Sequence, residues 1–94
     1  MKAGELLRQL TVNPFHEEYK GIYTRLGGTL VQFTTAKPDH EGNLIFFRQN
    51  RKTPMSTKTL FSILLLYRNK NLLFWNNRKI AIYSYSINRG KIIV

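Results

Sequence analysis

Ala3, Leu6, Leu7 and Leu10 recur at helical spacing while Glu5, Arg8 and Gln9 fall on the other side, which predicts a short helix over residues 2–12. Asn13-Pro14 ends it, because the residue before a proline avoids the α region. Residues 15–28 are polar and aromatic and read as loop, with Gly27-Gly28 allowing a tight turn. Thr29 to Thr35 predicts a strand with Val31 and Phe33 on one face. Lys37 to Gly42 supplies turn residues, and Asn43 to Gln49 predicts the return strand of a hairpin. Leu44, Ile45, Phe46 and Phe47 are all apolar, the mark of a central strand covered on both faces.

The second half repeats this order. Ser56 or Thr57 offers an N-cap for a helix running to about Arg68. Leu60, Phe61, Ile63, Leu64, Leu65, Leu66 and Tyr67 leave that helix little polar face, so it is expected to be deeply buried or covered by a partner. Leu72 to Trp75 predicts a strand, Asn76 to Lys79 a hairpin turn, and Ile80 to Ile87 a further strand. Asn88 to Lys91 turns again before a short strand, Ile92 to Val94. Met1–Leu10 and Met55–Leu64 share a phrase, and Gly42-Asn43-Leu44-Ile45-Phe46 is echoed by Gly90-Lys91-Ile92-Ile93-Val94. The expected fold is therefore α+β: two short helices on a mainly antiparallel sheet of about five strands, arranged as two helix–hairpin pseudo-repeats. Chance likeness between short amphipathic segments is the competing explanation.

With 94 residues and 43% hydrophobic side chains, the chain suffices for one domain, 1–94, with a single core. Without cysteine it has neither disulfides nor thiolate metal sites. Its first residues carry an acid and no apolar signal core, and the longest nearly apolar stretch, Leu60 to Tyr67, is far short of the roughly 20 residues a membrane helix needs. The expectation is a soluble, cytoplasmic protein that does not enter membranes.

Charge changes the picture most. The formal net charge is +10, and it is unevenly placed. Residues 1–43 hold all five acids and five basic residues, whereas residues 44–94 hold ten basic residues and no acid. Such a half projects a positive field that attracts phosphate backbones, acidic proteins or anionic lipid. The bland alternative is that these cations keep an apolar half soluble and deter aggregation.

No catalytic centre is evident. His16-Glu17-Glu18 and Asp39-His40-Glu41 gather imidazoles and carboxylates that could serve a metal-dependent nuclease. Their spacing matches no metal motif, and neighbours on a strand point to opposite faces, so surface loops explain them more simply. Gly27-Gly28 lacks the Lys-Ser/Thr of a phosphate loop. No catalytic residue, metal ligand or cofactor is assigned. The basic half also interleaves cations with aromatics. Most of Phe46, Phe47, Phe61, Phe74 and Trp75 are expected in the core, and Tyr83 and Tyr85 are the better candidates for an exposed face.

Residues 55–94, a Thr-led helix with paired leucines before a meander of strands ending in Gly-x-Ile-x-Val, resemble small phage and mobile-element proteins. Thr59 stands where that pattern has glutamate, and the resemblance implies an origin without assigning any functional residue. The leading functional expectation is a non-enzymatic nucleic-acid-binding protein with Arg48, Arg51, Lys52, Arg68, Lys70, Arg78 and Lys79 as phosphate contacts. The alternative is a protein–protein interaction module, a phage-type modulator or an obligate homodimer, using the same cations against an acidic partner surface.

Overall fold

Both helices form where the leucine spacing places them. The computed structural model describes residues 1–12 and 18–94 and gives α1 at Ala3–Thr11 and α2 at Thr57–Leu66. Ser56 caps α2, its Oγ accepting from the Thr59 N–H at 3.1 Å. Four strands follow each helix: β1 (Ile22–Leu26), β2 (Thr29–Gln32), β3 (Thr35–Pro38) and β4 (Asn43–Phe47) after α1, then β5 (Asn71–Trp75), β6 (Lys79–Ala81), β7 (Ser86–Asn88) and β8 (Lys91–Ile93) after α2.

The strands form two mixed sheets, ordered β2-β1-β8-β7 and β3-β4-β5-β6. Each sheet takes one hairpin from each half of the chain, and the halves meet along a parallel pair, β1 with β8 and β4 with β5. Equivalent backbone contacts recur. The Phe33 N–H donates to the Ile22 carbonyl at 3.0 Å as that of Ile82 donates to Leu72 at 2.9 Å. The Met55 nitrogen donates to Phe33 at 3.1 Å, as the Met1 nitrogen donates to Ile82 at 3.1 Å. The two helix–strand units are thus related by an approximate twofold axis.

Several sequence expectations are corrected here. The α+β class holds, but among the described residues eight strands in two sheets replace one mainly antiparallel sheet of about five. The segment Ile22–Leu26, read as loop, is β1. The predicted strand over 29–35 is split: Phe33 still bonds to Ile22 in one sheet, whereas the Thr34 N–H donates to Phe47 in the other at 2.9 Å. The chain changes sheets at that point, so β4 pairs with β3 instead of β2. The predicted strand over 80–87 divides likewise into β6 and β7. Ile82 still bonds to Leu72 beside β6, and β7 pairs with β8 in the other sheet.

One core serves both halves. Leu6, Leu10, Leu60 and Leu64 from the helices meet Ile22, Ile92, Leu44, Phe46, Leu72 and Phe74 from the inner sheet faces. Phe33 lies between Phe46 and Phe74, with ring centroids 5.6 and 5.8 Å away. Buried Thr24 is satisfied by donating to the Val94 carbonyl at 3.0 Å. The expectation that α2 is deeply buried fails for its last turn, where Leu65 is 56% and Leu66 69% exposed. Only Leu60 and Leu64 of this helix are fully buried, because α2 covers the sheets with a single stripe.

Candidate nucleic-acid interface

The connector from β4 to α2 is held at both ends. The Gln49 N–H donates to Thr34 Oγ1 at 3.0 Å, and the Met55 N–H donates to the Phe33 carbonyl while its side chain is buried. Between these anchors Arg51 adopts φ 63°, a left-handed conformation uncommon for a residue with a side chain. The result is an arched, exposed loop carrying Arg48, Arg51 and Lys52.

That loop forms one wall of a groove of about 330 Å³. The other wall is the outer face of the β2-β1-β8-β7 sheet. Tyr23 pairs with Gln32 and Arg25 with Leu30, so these side chains share a face while Ile22 and Thr24 turn to the core. Tyr23, Leu30, Gln32 and Thr34 line the groove opposite Arg48, Gln49, Asn50, Arg51, Lys52 and Pro54, and among the described residues no carboxylate lines it. Lys91 Nζ sits 5.5 Å from the centroid of the Tyr23 ring, a cation–π contact that adds a charge beside the groove. Cations, amides and an aromatic side chain without acids can neutralise phosphates and hydrogen-bond sugars or base edges.

The other four expected contacts lie elsewhere. Arg68 and Lys70 follow α2, where their carbonyls accept from the Gly4 and Ala3 N–H groups, each at 2.9 Å. Arg68 lines a hollow with Lys2 and Arg8, which also contains Glu5. Arg78 lies in the turn joining β5 to β6, and Lys79 opens β6. Lys79 is engaged: its ammonium lies 2.8 Å from Asp39 Oδ2 and 3.1 Å from Glu41 Oε1. The seven residues therefore fall into three groups, and only Arg48, Arg51 and Lys52 share the groove.

Asp39 has a structural task. Its Oδ1 accepts the N–H groups of Glu41 and Asn43 at 2.8 and 2.9 Å, and its Oδ2 accepts Asn43 Nδ2 at 3.0 Å as well as Lys79. The Lys79 ammonium, helped by the Asn43 and Glu41 donors, holds the Asp39 carboxyl well below the usual range, and the same contacts raise Lys79. The Asp39-His40-Glu41 cluster is accordingly a closed turn tied to β6. Among the described residues no three His, Asp or Glu side chains gather as a metal would require. His16 and Glu17 lie outside the described residues, and Glu18 is exposed.

The aromatics follow expectation in the main, with Phe47, Trp75 and Tyr85 as the exceptions. Phe46 and Phe74 are core, and Phe61 is packed partly against it. Phe47 and Trp75 point the other way, onto the outer face of the β3-β4-β5-β6 sheet, where their centroids are 6.3 Å apart. Trp75 is 47% exposed. Tyr83 is exposed as expected, whereas Tyr85 packs partly against the core.

Sequence reasoning missed Tyr23, Arg25, Gln32 and Lys91. The signal was present: Ile22, Thr24 and Leu26 alternate with Tyr23 and Arg25 between two glycine positions, a short strand with one polar face. No known protein family, curated protein or solved structure matches the chain. The likeness of residues 55–94 to phage and mobile-element proteins gains no support from these comparisons. Among the described residues, no helix is long and apolar enough to cross a membrane.

Proposed function

We propose that this protein binds nucleic acid without catalysing a reaction on it, and that the groove beneath the 48–54 loop is the contact surface. One observation carries the reading. Arg48, Arg51 and Lys52 converge on a groove that no carboxylate of the described residues lines, opposite Tyr23 and Gln32, on a chain of net charge +10. Cations kept only for solubility have no reason to gather around a concavity with amides and an aromatic ring. Arg68, Lys70 and Arg78 extend the positive field and aid encounter, and Lys79 contributes less because two carboxylates hold it.

The test is a salt titration of binding to labelled duplex DNA, single-stranded DNA and structured RNA. Log affinity should fall linearly with log salt, by about 0.9 per duplex phosphate contact or about 0.7 per single-strand contact. Arg48→Ala with Lys52→Ala should flatten that slope by about two contacts. No binding to any of the three at low salt removes the proposal.

A second reading, an interaction module or homodimer, rests on the exposed end of α2. Leu65 and Leu66 with half-buried Ile63 form an apolar patch next to Lys58. Leu65→Lys with Leu66→Lys should then convert a dimer to a monomer in sedimentation. A wild-type mass of one chain at high concentration would remove the homodimer.

A further inference from the structure

We infer that the nucleic acid is single-stranded, its unpaired bases stacking on Trp75 and Phe47. This rests on the nucleic-acid reading above and adds the form of the ligand. Register places Phe47 and Trp75 on the outer face of the β3-β4-β5-β6 sheet: Phe47 pairs with Thr35, Trp75 with Lys79 and Leu73 with Ala81. Phe47, Leu73, Trp75 and Ala81 neither belong to the core cluster nor pack against it, while Ile45 on the same face is buried. The two rings lie side by side, tilted by 34°, and Trp75 remains 47% exposed.

The charges around the rings select the occupant. Lys37 pairs with Ile45 and Lys79 with Trp75 on the same face, where Asp39 and Glu41 neutralise Lys79, and Arg78 lies in the turn three residues after Trp75. Arg48 is also the first cation of the groove, so residues 47 and 48 connect the two surfaces along the chain. An aromatic surface framed by cations suits a chain that alternates planar rings with negative charges. In a duplex the base faces are already stacked on one another, so the platform has work only when bases are unpaired. Aromatic stacking favours every base, so binding is expected to be tolerant of sequence.

Trp75 is the sole tryptophan, which makes the inference directly readable. Binding of oligo(dT) and oligo(U) should be followed by anisotropy and Trp75 emission together, with a duplex of equal phosphate count and inorganic polyphosphate as controls. The expected result is quenching by both single strands and little by either control. Trp75→Phe should keep affinity within a few-fold, while Trp75→Ala should weaken it by roughly 5- to 150-fold without changing binding of polyphosphate. Single-strand binding with unchanged emission overturns the stacking inference and leaves the groove reading intact. Equal quenching by the duplex overturns it too. If neither nucleic acid binds, both readings fall. A dimeric mass in which Trp75 is shielded from acrylamide before any ligand is added assigns the face to a second copy instead.

Discussion

The two sheets have the same connectivity and opposite exteriors. On the β2-β1-β8-β7 sheet the outer face carries Tyr23, Arg25, Gln32 and Lys91 with Leu30 and Ile93 among them; on the β3-β4-β5-β6 sheet it carries Ile45, Phe47, Leu73 and Trp75, flanked by Lys37 and Lys79. Their inner faces are alike, since Ile22 beside Ile92 and Leu44 beside Leu72 are all buried around the common core. The inner alternation is what the fold requires. The outer positions are free of that demand, so their chemistry is the better guide to function.

The largest test of this contrast uses two consecutive residues. Phe46→Ala opens a cavity among Phe33, Phe74 and the helices and should cost about 3–5 kcal/mol in urea unfolding, whereas Phe47→Ala on the outer face should cost less than half of that. Similar losses for the two would end the distinction between inner and outer aromatics.

A second comparison concerns turns within one sheet. Gly27-Gly28 and Arg89-Gly90 are two-residue turns with both residues at positive φ, the geometry that follows the twist of a hairpin. A Cβ on Gly28 would meet nothing within 4 Å, but one on Gly90 would overlap the Glu18 carbonyl. Gly90→Ala should therefore lower the thermal midpoint more than Gly28→Ala; the reverse order would mean that the Gly90 carbonyl contact with the Lys20 N–H does not hold this turn in place. Arg89→Asn should have a smaller effect of opposite sign, a gain of at most about 1 kcal/mol, since asparagine tolerates this conformation better.

The smallest effect belongs to the bridge linking β6 to the β3–β4 turn. The Asp39 carboxyl is depressed in the folded state, so its contribution is full above the ordinary carboxylate value of about 3.9 and is lost as pH falls below it. Lys79 is raised, so its contribution is full below about 10.4 and is lost as pH climbs through its raised value. Wild type should lose more stability than Asp39→Asn between pH 7 and pH 3. Equal losses would show that the bridge is too well solvated to matter.

The helices, the cap of α2 at Ser56 or Thr57 and most turns were legible because their signals are local: leucine spacing, a hydroxyl before the helix, Gly27-Gly28 and Asn88-Arg89-Gly90. The partition into two sheets was not, because the parallel pairs join residues as distant as Ile22 and Ile92. Four consecutive apolar residues at 44–47 also conceal which pair faces inward, since alternation is invisible in an unbroken run. The acid-free half was plain in the sequence, and so were Arg48, Arg51 and Lys52. Their opposite wall comes from β1 and β2, and the engagement of Lys79 depends on a turn forty residues away. Charge composition could foretell a positive half but not where in space it becomes concave.

The interleaving of hairpins also sets an order in time. A ribosome delivers β1 long before β8, so one edge of β1 waits with unpaired backbone groups until Ile92 and Ile93 have emerged. Closing such distant pairs late should make refolding slower than for a helical bundle of equal length, and the nascent first half most exposed to misassociation with its neighbours.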